Sequence, residues 1–324
     1  MVPFHCKLKE AASTTTARPR MMAEPNPSLS AVPAFSVVIP TYNDWASLEL
    51  CLHSLELQKN APTFEVVVVD DGSSSSVPEL IAQWASRFPL RLIRAPHAGI
   101  AVSRNRGIEA SNGKIILSVD ADCILAEDCL AELAIAIEQS PQEHYFQLRL
   151  LGDCCGVVGR AEELRLRALQ HVLLQPDGRI RYLNTAGFAI RREAAHAGRA
   201  LFDPLALRAE DTLLLSNLIR VGELPVLVAS ARVTHAVPLT LIECFFKDFR
   251  SVPQESRAYR MIARSGITIR MSNRKRWAML RFMWRASAEP SIGRLAWFAL
   301  VARQTLQRAI SLVCEFLAPR VQLL

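Results

Sequence analysis

From Phe35 onward the chain alternates short, almost wholly apolar runs with stretches whose apolar residues recur every three or four positions. FSVVIP (35–40) and FEVVVVD (64–70) have no polar face, which predicts strands covered on both sides. PLRLIRA predicts a third strand and KIILSVD (114–120) a fourth. Between them, NDWASLELCLHSLELQ takes up helical spacing after Asn43 or Asp44, either of which can cap a helix, and GIAVSRNRGIEASNG predicts another helix. Doubly buried strands separated by helices form a largely parallel sheet, so the expected class is α/β.

Beyond Asp128 the pattern changes. LAELAIAIEQ continues a helix, whereas SPQEHYFQLRLLGDCCGVVGRAEEL keeps neither period. LNTAGFAIRREAAHAG predicts a strand running into a helix, and RAEDTLLLSNLIRVG a helix stopped by Gly222. LPVLVASARVTH predicts two short strands ending at His235, and only helices are expected after it. No repeat of fixed period appears, which argues against a solenoid. The resulting division is a domain over 34–238, with halves meeting near residue 128, and a helical C-terminal region over 239–324. The polar, Pro- and Thr-containing lead-in 1–33 is expected to be disordered; it lacks the apolar core of a secretory signal, and Met21 or Met22 is an alternative start.

With 324 residues, 50% of them hydrophobic and 21% charged, the chain can build an ordinary globular core. Its eight cysteines are scattered and form no Cys-x-x-Cys, which points to a reducing, cytoplasmic setting and away from a disulfide framework or a zinc site. Charge is uneven. Leu241–Leu324 holds 15 Lys/Arg against 5 Asp/Glu, leaving 23 basic and 26 acidic residues before it. A basic tail meets polyanions, either nucleic acid or an anionic membrane face. No helix-turn-helix, zinc-finger or ribonucleoprotein signature accompanies it, so nucleic acid is not the expected partner. Arginines beside tryptophans in RKRWAMLRFMWRASAEPSIGRLAWFALVARQ suit a membrane interface; they also suit helices that cover the domain and leave arginine outside. The most apolar stretch, Leu295–Ala318, is interrupted by Arg303, Gln304, Gln307 and Arg308, which fits an in-plane amphipathic helix better than a span.

Three of the expected strands end in polar groups: Thr41, Tyr42 and Asn43; Asp70 and Asp71; Asp120 and Asp122. In an open α/β sheet the carboxyl ends of the strands line the ligand crevice, so the three clusters should share one. Asp120 and Asp122 can hold Mg²⁺ or Mn²⁺ against a substrate diphosphate, or they are solvated loop aspartates capping the next helix. Asp70 can accept hydrogen bonds from a base or ribose, or it belongs to an Asp-Gly turn whose helix is capped by Ser73 or Ser74.

Taken together, VVIPTYND, VVVVDDGS and AVSRNRGIEASNGKIILSVDADC resemble the nucleotide-sugar-binding half of family 2 glycosyltransferases of the GT-A fold. The resemblance covers about Phe35–Asp128 closely and extends loosely to His235. It implies that Thr41, Tyr42, Asn43 and Asp70, with Asp71 beside it, hold the nucleotide. It places Arg104, Asn105 and Gly107 near the ribose and diphosphate. It makes Asp122 the direct ligand of Mg²⁺ or Mn²⁺, and Asp120 a neighbour serving both metal and sugar nucleotide. RAEDTLLL resembles the Glu-Asp pair that opens a helix at the acceptor pocket, which implies Asp211 as base with Glu210 beside it. A carboxylate at that position is expected to be held in its charged form by the helix dipole. His235 falls where some relatives carry a histidine near the metal or diphosphate, although a histidine ending a strand is otherwise structural.

The implied activity is metal-dependent, inverting transfer from a UDP- or GDP-sugar to a hydroxyl of a glycan or lipid-linked acceptor. The implied setting is polysaccharide assembly, cytoplasmic and peripheral on the inner membrane face. Two features depart from the family pattern. AGRALFDP keeps Phe202-Asp203 without the usual glycines, and Ser216-Asn217 stand where an arginine is frequent. Acceptor geometry is therefore open, and the Asn184 and Arg191-Arg192 segment fits the family or equally a turn and a helix start. Two rivals follow. A sugar-nucleotide nucleotidyltransferase should carry a glycine-rich basic loop where TYNDWAS stands, and a non-catalytic carbohydrate- or membrane-binding protein should have lost metal-dependent nucleotide affinity.

Overall fold

The computed structural model describes residues 32–75, 78–154, 156–195, 200–206, 208–236, 240–264 and 271–317. The lead-in expected to be disordered, and the alternative starts within it, lie outside these residues except for 32 and 33. In chain order the elements are β1 (Phe35–Thr41), α1 (Trp45–Glu56), β2 (Phe64–Asp70), α2 (Pro78–Ala85), β3 (Leu90–Arg94), α3 (Ile100–Ala110), β4 (Ile115–Ser118) and β5 (Cys123–Leu125). Next come α4 (Cys129–Gln139), β6 (Tyr145–Gly152), α5 (Gly156–Leu173), a 3₁₀ turn at Thr185–Gly187, β7 (Phe188–Arg191), α6 (Arg192–Ala195) and α7 (Glu210–Arg220). The chain closes with β8 (Val226–His235), α8 (Leu241–Arg264), α9 (Asn273–Ala286) and α10 (Arg294–Leu317).

One eight-stranded sheet runs β3-β2-β1-β4-β7-β6-β8-β5. The four strands of the N-terminal half are mutually parallel. The C-terminal half is mixed: β7 is antiparallel to β4 and β6, and β5 is antiparallel to β8. The expected parallel sheet is thus found in β1–β4, whose consecutive strands are joined through helices, and every antiparallel pair involves a strand beyond β4. The two short strands expected before His235 are one ten-residue strand. β8 shifts register between Leu148 and Arg149 of its partner β6, and this irregularity breaks the alternation that the sequence pattern would have shown.

Alternating side chains of the central strands feed two cores. Val37, Ile39, Val66 and Val68 pack with Leu48, Leu52 and Leu55 of α1 and with Leu130 and Leu133 of α4. Val38 and Ile116 face the other way, onto Ala101 and Ile108 of α3 and Leu214 and Leu218 of α7. At Gly107 the crossing of α3 over the sheet is so close that a Cβ would lie 2.3 Å from Val38 Cγ1. Helix propensity would favour alanine there by about 1 kcal/mol. Overpacking against a branched, immobile side chain costs about 1–3 kcal/mol and should win. Gly107→Ala is therefore expected to lower the thermal midpoint; an unchanged or raised midpoint would show that the sheet yields instead.

The basic C-terminal helices are part of the same body. Met279, Met283, Ala286, Ile292, Ala296 and Leu300 pack on Ala161, Leu164 and Ala168 of α5. Arg303 of α10 forms a two-pronged ion pair with the buried Asp248 of α8, both contacts at 2.7 Å. Among the described residues no helix is long and apolar enough to cross a membrane.

Candidate active site

Strands β1, β2 and β3 end level with one another, which sets the residues at their carboxyl ends along one edge of the sheet. Register places Asp70 between Thr41 of β1 and Arg94 of β3. Asp70 is fully buried, accepts from the Ser73 backbone N–H at 2.8 Å and pairs with Arg94 Nε at 2.9 Å. Asn43 takes a left-handed backbone (φ +53°), a conformation that asparagine tolerates. From there it stitches the two loops together: its N–H donates to Ser73 Oγ at 2.8 Å, and its Oδ1 accepts from the Ser74 N–H at 2.9 Å. The cap of α1 is Asp44, which accepts from the Ser47 N–H.

The backbone N–H of Asp71 donates to the Thr41 carbonyl at 2.9 Å, but its side chain turns away from both loops. Its two oxygens accept from the N–H groups of Ala98 and Gly99, and His97 Nδ1 lies 2.9 Å from it, so it holds the segment that enters α3. Tyr42 is exposed and stacks on His97 with ring centroids 4.5 Å apart. Thr41 Oγ1 and Ser118 Oγ, at the ends of adjacent strands, are buried without hydrogen-bond partners among the described residues. Unsatisfied polar atoms at strand ends are the expected mark of a ligand crevice.

Arg104 is the hub of the site. It is 1% exposed, and its two terminal nitrogens reach different acids: Nη2 meets Asp120 Oδ1 at 2.5 Å and Nη1 meets Glu210 Oε1. Burial works against the guanidinium charge, but Asp120 and then Glu210 outweigh it and hold Arg104 protonated above its ordinary range. Its neighbours on α3 face elsewhere. The Asn105 amide exchanges two hydrogen bonds with the Phe202 backbone, at 2.7 and 3.0 Å, and Gly107 lies against the sheet. Asn105 thus fastens the Phe202-Asp203 segment that the sequence pattern had marked.

The second acid of the Asp-x-Asp pair goes to a different partner. β5 pairs with β8 so that Cys123 lies opposite His235, and Asp122 Oδ2 comes to 3.3 Å from His235 Nε2. Burial raises the Asp122 carboxyl, but His235 outweighs it and holds it below the usual range. For His235, burial opposes the charge while Asp122 and Glu162 favour it, with a net rise to about 9. Among the described residues no three His, Cys, Asp or Glu side chains gather round one point, so Asp120, Asp122 and His235 do not form one cluster. Asp122 alone suits a divalent cation that takes its remaining ligands from water and a substrate diphosphate, as Mg²⁺ commonly does, and His235 can join it as a ligand only after giving up the proton that Asp122 and Glu162 hold on it.

Ala209 precedes α7 at its N-cap, and its left-handed backbone (φ +58°) turns the chain into the helix. Asp211 Oδ1 accepts from the Thr212 N–H at 2.6 Å and from Thr212 Oγ1 at 3.1 Å. The expected dipole effect does not dominate here. Burial and the adjacent Glu210 push the Asp211 carboxyl up to about 7, against the pull of Thr212 and Arg104.

Several participants were not visible in the sequence. α5 contributes Glu162 and Arg165, joined by contacts of 2.6 and 2.8 Å, and Arg165 outweighs burial to bring Glu162 down to about 2. His235 Nδ1 lies 3.9 Å from Glu162. Burial raises the Tyr182 hydroxyl to about 12, and both Arg165 and Asp211 act on it electrostatically. The available signal was the three-residue spacing of Glu162 and Arg165 among apolar positions 161, 164, 166 and 168, a charged pair on a helix otherwise built for burial. Arg94 and His97 were missed as well. The Asn184 side chain caps the 3₁₀ turn, while Arg191 and Arg192 bind backbone carbonyls, so these three serve the scaffold.

A family model for glycosyl transferase family 2 matches residues 36–197. Among curated proteins, an uncharacterized glycosyltransferase, YibD, from Escherichia coli is 38% identical over 88 residues, covering 27% of this chain and 25% of that protein. The uncharacterized glycosyltransferase EpsJ of Bacillus subtilis is 26% identical over 196 residues, 56% of this chain and 54% of its own. The validoxylamine A glucosyltransferase of Streptomyces hygroscopicus is 32% identical over 143 residues, 43% of this chain and 31% of its own. The chain thus spans about half or less of the length of these curated relatives. Two solved structures share the fold. Staphylococcus aureus TarS 1–349 in complex with UDP superposes with TM-score 0.56 at 20% identity, covering 79% of this chain and 72% of that one. The mannosyltransferase PcManGT of Pyrobaculum calidifontis, in complex with GDP-Man and Mn²⁺, gives 0.56 at 19%, with 89% and 87% covered.

Proposed function

Since the chain belongs to glycosyl transferase family 2, with the GT-A fold, we propose that it moves a sugar from a UDP- or GDP-sugar to a hydroxyl of a glycan or lipid-linked acceptor, with inversion at the anomeric carbon. The observation that carries this reading is the Arg104 bridge. One buried guanidinium joins Asp120, at the strand ends of the donor side, to Glu210, the neighbour of a carboxylate raised to about 7. That bridge supports a reading in which acids on the donor side and a base matched to neutral pH work at one site.

In this reading Asp70 and the Thr41–Asn43 turn hold the nucleoside, with Tyr42 available for stacking. Asp211 takes the proton from the acceptor hydroxyl as its oxygen attacks the anomeric carbon from the far side. The bond from that carbon to the diphosphate oxygen breaks, and its electron pair leaves with the nucleoside diphosphate. Asp122, joined by His235 once that ring has lost its proton, would hold Mg²⁺ or Mn²⁺, which when bound offsets charge on the departing diphosphate. Arg104 ties Asp120 and Glu210 in place. A setting in polysaccharide assembly on the cytoplasmic face of a membrane is part of the same proposal.

Calorimetric titration of UDP and GDP, with and without Mn²⁺, tests it directly. Metal-dependent tightening for one nucleotide is expected, followed by turnover of the matching sugar nucleotides in a donor panel. No metal-dependent affinity would mark a degenerate site. Activity on a sugar phosphate plus a nucleoside triphosphate, with none on sugar nucleotides, would favour nucleotidyl transfer.

A further inference from the structure

Helix α9 has two distinct faces. Its inner side, Met279, Met283 and Ala286, is buried against α5. On its outer side Trp277 is 65% exposed and Trp284 46%, with Leu280 between them, a stripe at helical spacing. The stripe continues onto the first turns of α10 through the exposed Leu295 and Phe298. It is also held rigid. Arg294 stacks 3.7 Å above the Trp284 ring and donates to Ser287 Oγ at 2.8 Å, while Trp284 meets Trp297 edge-on at 5.1 Å.

Charge complements the apolar stripe. Asn273–Ala286 carries five cations, Arg274, Lys275, Arg276, Arg281 and Arg285, and no acid. A hollow of about 430 Å³ opens at the start of the same helix, lined by His171, Ser272, Arg274 and Lys275. Exposed tryptophans on a rigid stripe, flanked by arginines with no ion pair among the described residues, match the headgroup layer of an anionic bilayer: the rings enter the interface and the guanidinium groups meet lipid phosphates.

We propose that the outer face of α9, with the first turns of α10, docks on the anionic surface of a lipid bilayer. The inference is independent of the catalytic reading, since it concerns surface outside the crevice. It has a consequence for that reading all the same. The α5 helix that supports α9 on one side presents Glu162 and Arg165 toward Asp122, His235 and Asp211 on the other, so docking would put the crevice one helix layer from the lipid.

The test uses the full chain and vesicles, with no donor or acceptor. Partitioning is measured on phosphatidylcholine vesicles with and without about 30% phosphatidylglycerol, alongside tryptophan emission and quenching by brominated acyl chains. Binding to the anionic vesicles only, with blue-shifted and quenched emission, is expected. The exposed pair Trp277→Ala/Trp284→Ala should weaken partitioning about tenfold, and Arg276→Glu/Arg281→Glu should remove its dependence on anionic lipid. Both variants are checked by thermal melting; should either fail to fold, bromine quenching of the unsubstituted protein decides. Absence of partitioning, equal partitioning by folded variants, or unquenched emission overturns the proposal. So does a wild-type oligomer that the tryptophan variant dissociates without any vesicle affinity, or affinity for single-stranded RNA in place of vesicles.

Discussion

Asp211→Asn is expected to lower turnover by about 10²–10⁴-fold while leaving nucleotide-sugar affinity within a few-fold. Asparagine keeps the shape and can still accept from Thr212, so the start of α7 should be undisturbed. What is lost is the proton acceptor. In the proposed reading the donor contacts lie at the ends of β1 and β2, away from Asp211, which is why affinity should hold. The wild-type rate should rise with pH through about 7 as Asp211 ionises, and that limb should vanish in the variant. Stability gives a second readout with its own sign. A carboxyl whose folded-state value lies above its ordinary one near 4 contributes stability fully below that ordinary value, and the contribution is lost as pH climbs through about 7. The fall in stability between those limits should therefore flatten in Asp211→Asn. Wild-type turnover by the variant would remove Asp211 from its role.

The halves of the site differ in how far the sequence exposes them, and the reason is physical. β1, β2 and β4 are buried on both faces, so each is an unbroken apolar run, and the residues that follow it in sequence are also those at the crevice edge. Thr41, Asp70 and Asp120 are legible because proximity along the chain and proximity in space coincide there. The second half offers no such coincidence. β6 reads YFQLRLLG, with Gln147 buried because its amide serves the backbone of Asn184 and Gly187, so a polar letter sits where alternation demands an apolar one. Glu162 and Arg165 satisfy each other inside the fold, and a charge pair of that kind looks like a solvated helix face until its surroundings are known. His235 could be marked as a strand-end histidine, but its meeting with Asp122 depends on antiparallel pairing of a three-residue strand that follows the Asp-x-Asp pair. The raised carboxyl of Asp211 is likewise a tertiary effect. From the sequence alone, the helix dipole argues the opposite way.

Arg104→Leu is expected to destabilise the fold by about 3–5 kcal/mol, because it leaves Glu210 buried and Asp120 half-buried without their shared counter-charge. The lower figure is favoured, since Asp120 retains contact with water. Lysine should rescue only part of the loss. The guanidinium reaches its two partners with separate nitrogens, and an ammonium group on a single point cannot span both. Urea denaturation of the leucine and lysine variants measures both losses, and a leucine variant within about 1 kcal/mol of wild type would show that Arg104 is not the buried bridge described here. Adding Glu210→Leu separates stability from catalysis. Removing the second charge should restore part of the lost stability, because two well-packed apolar side chains can replace a buried ion pair. Turnover should remain low, because the polar tie between the start of α7 and Asp120 is then gone and only apolar packing positions Asp211.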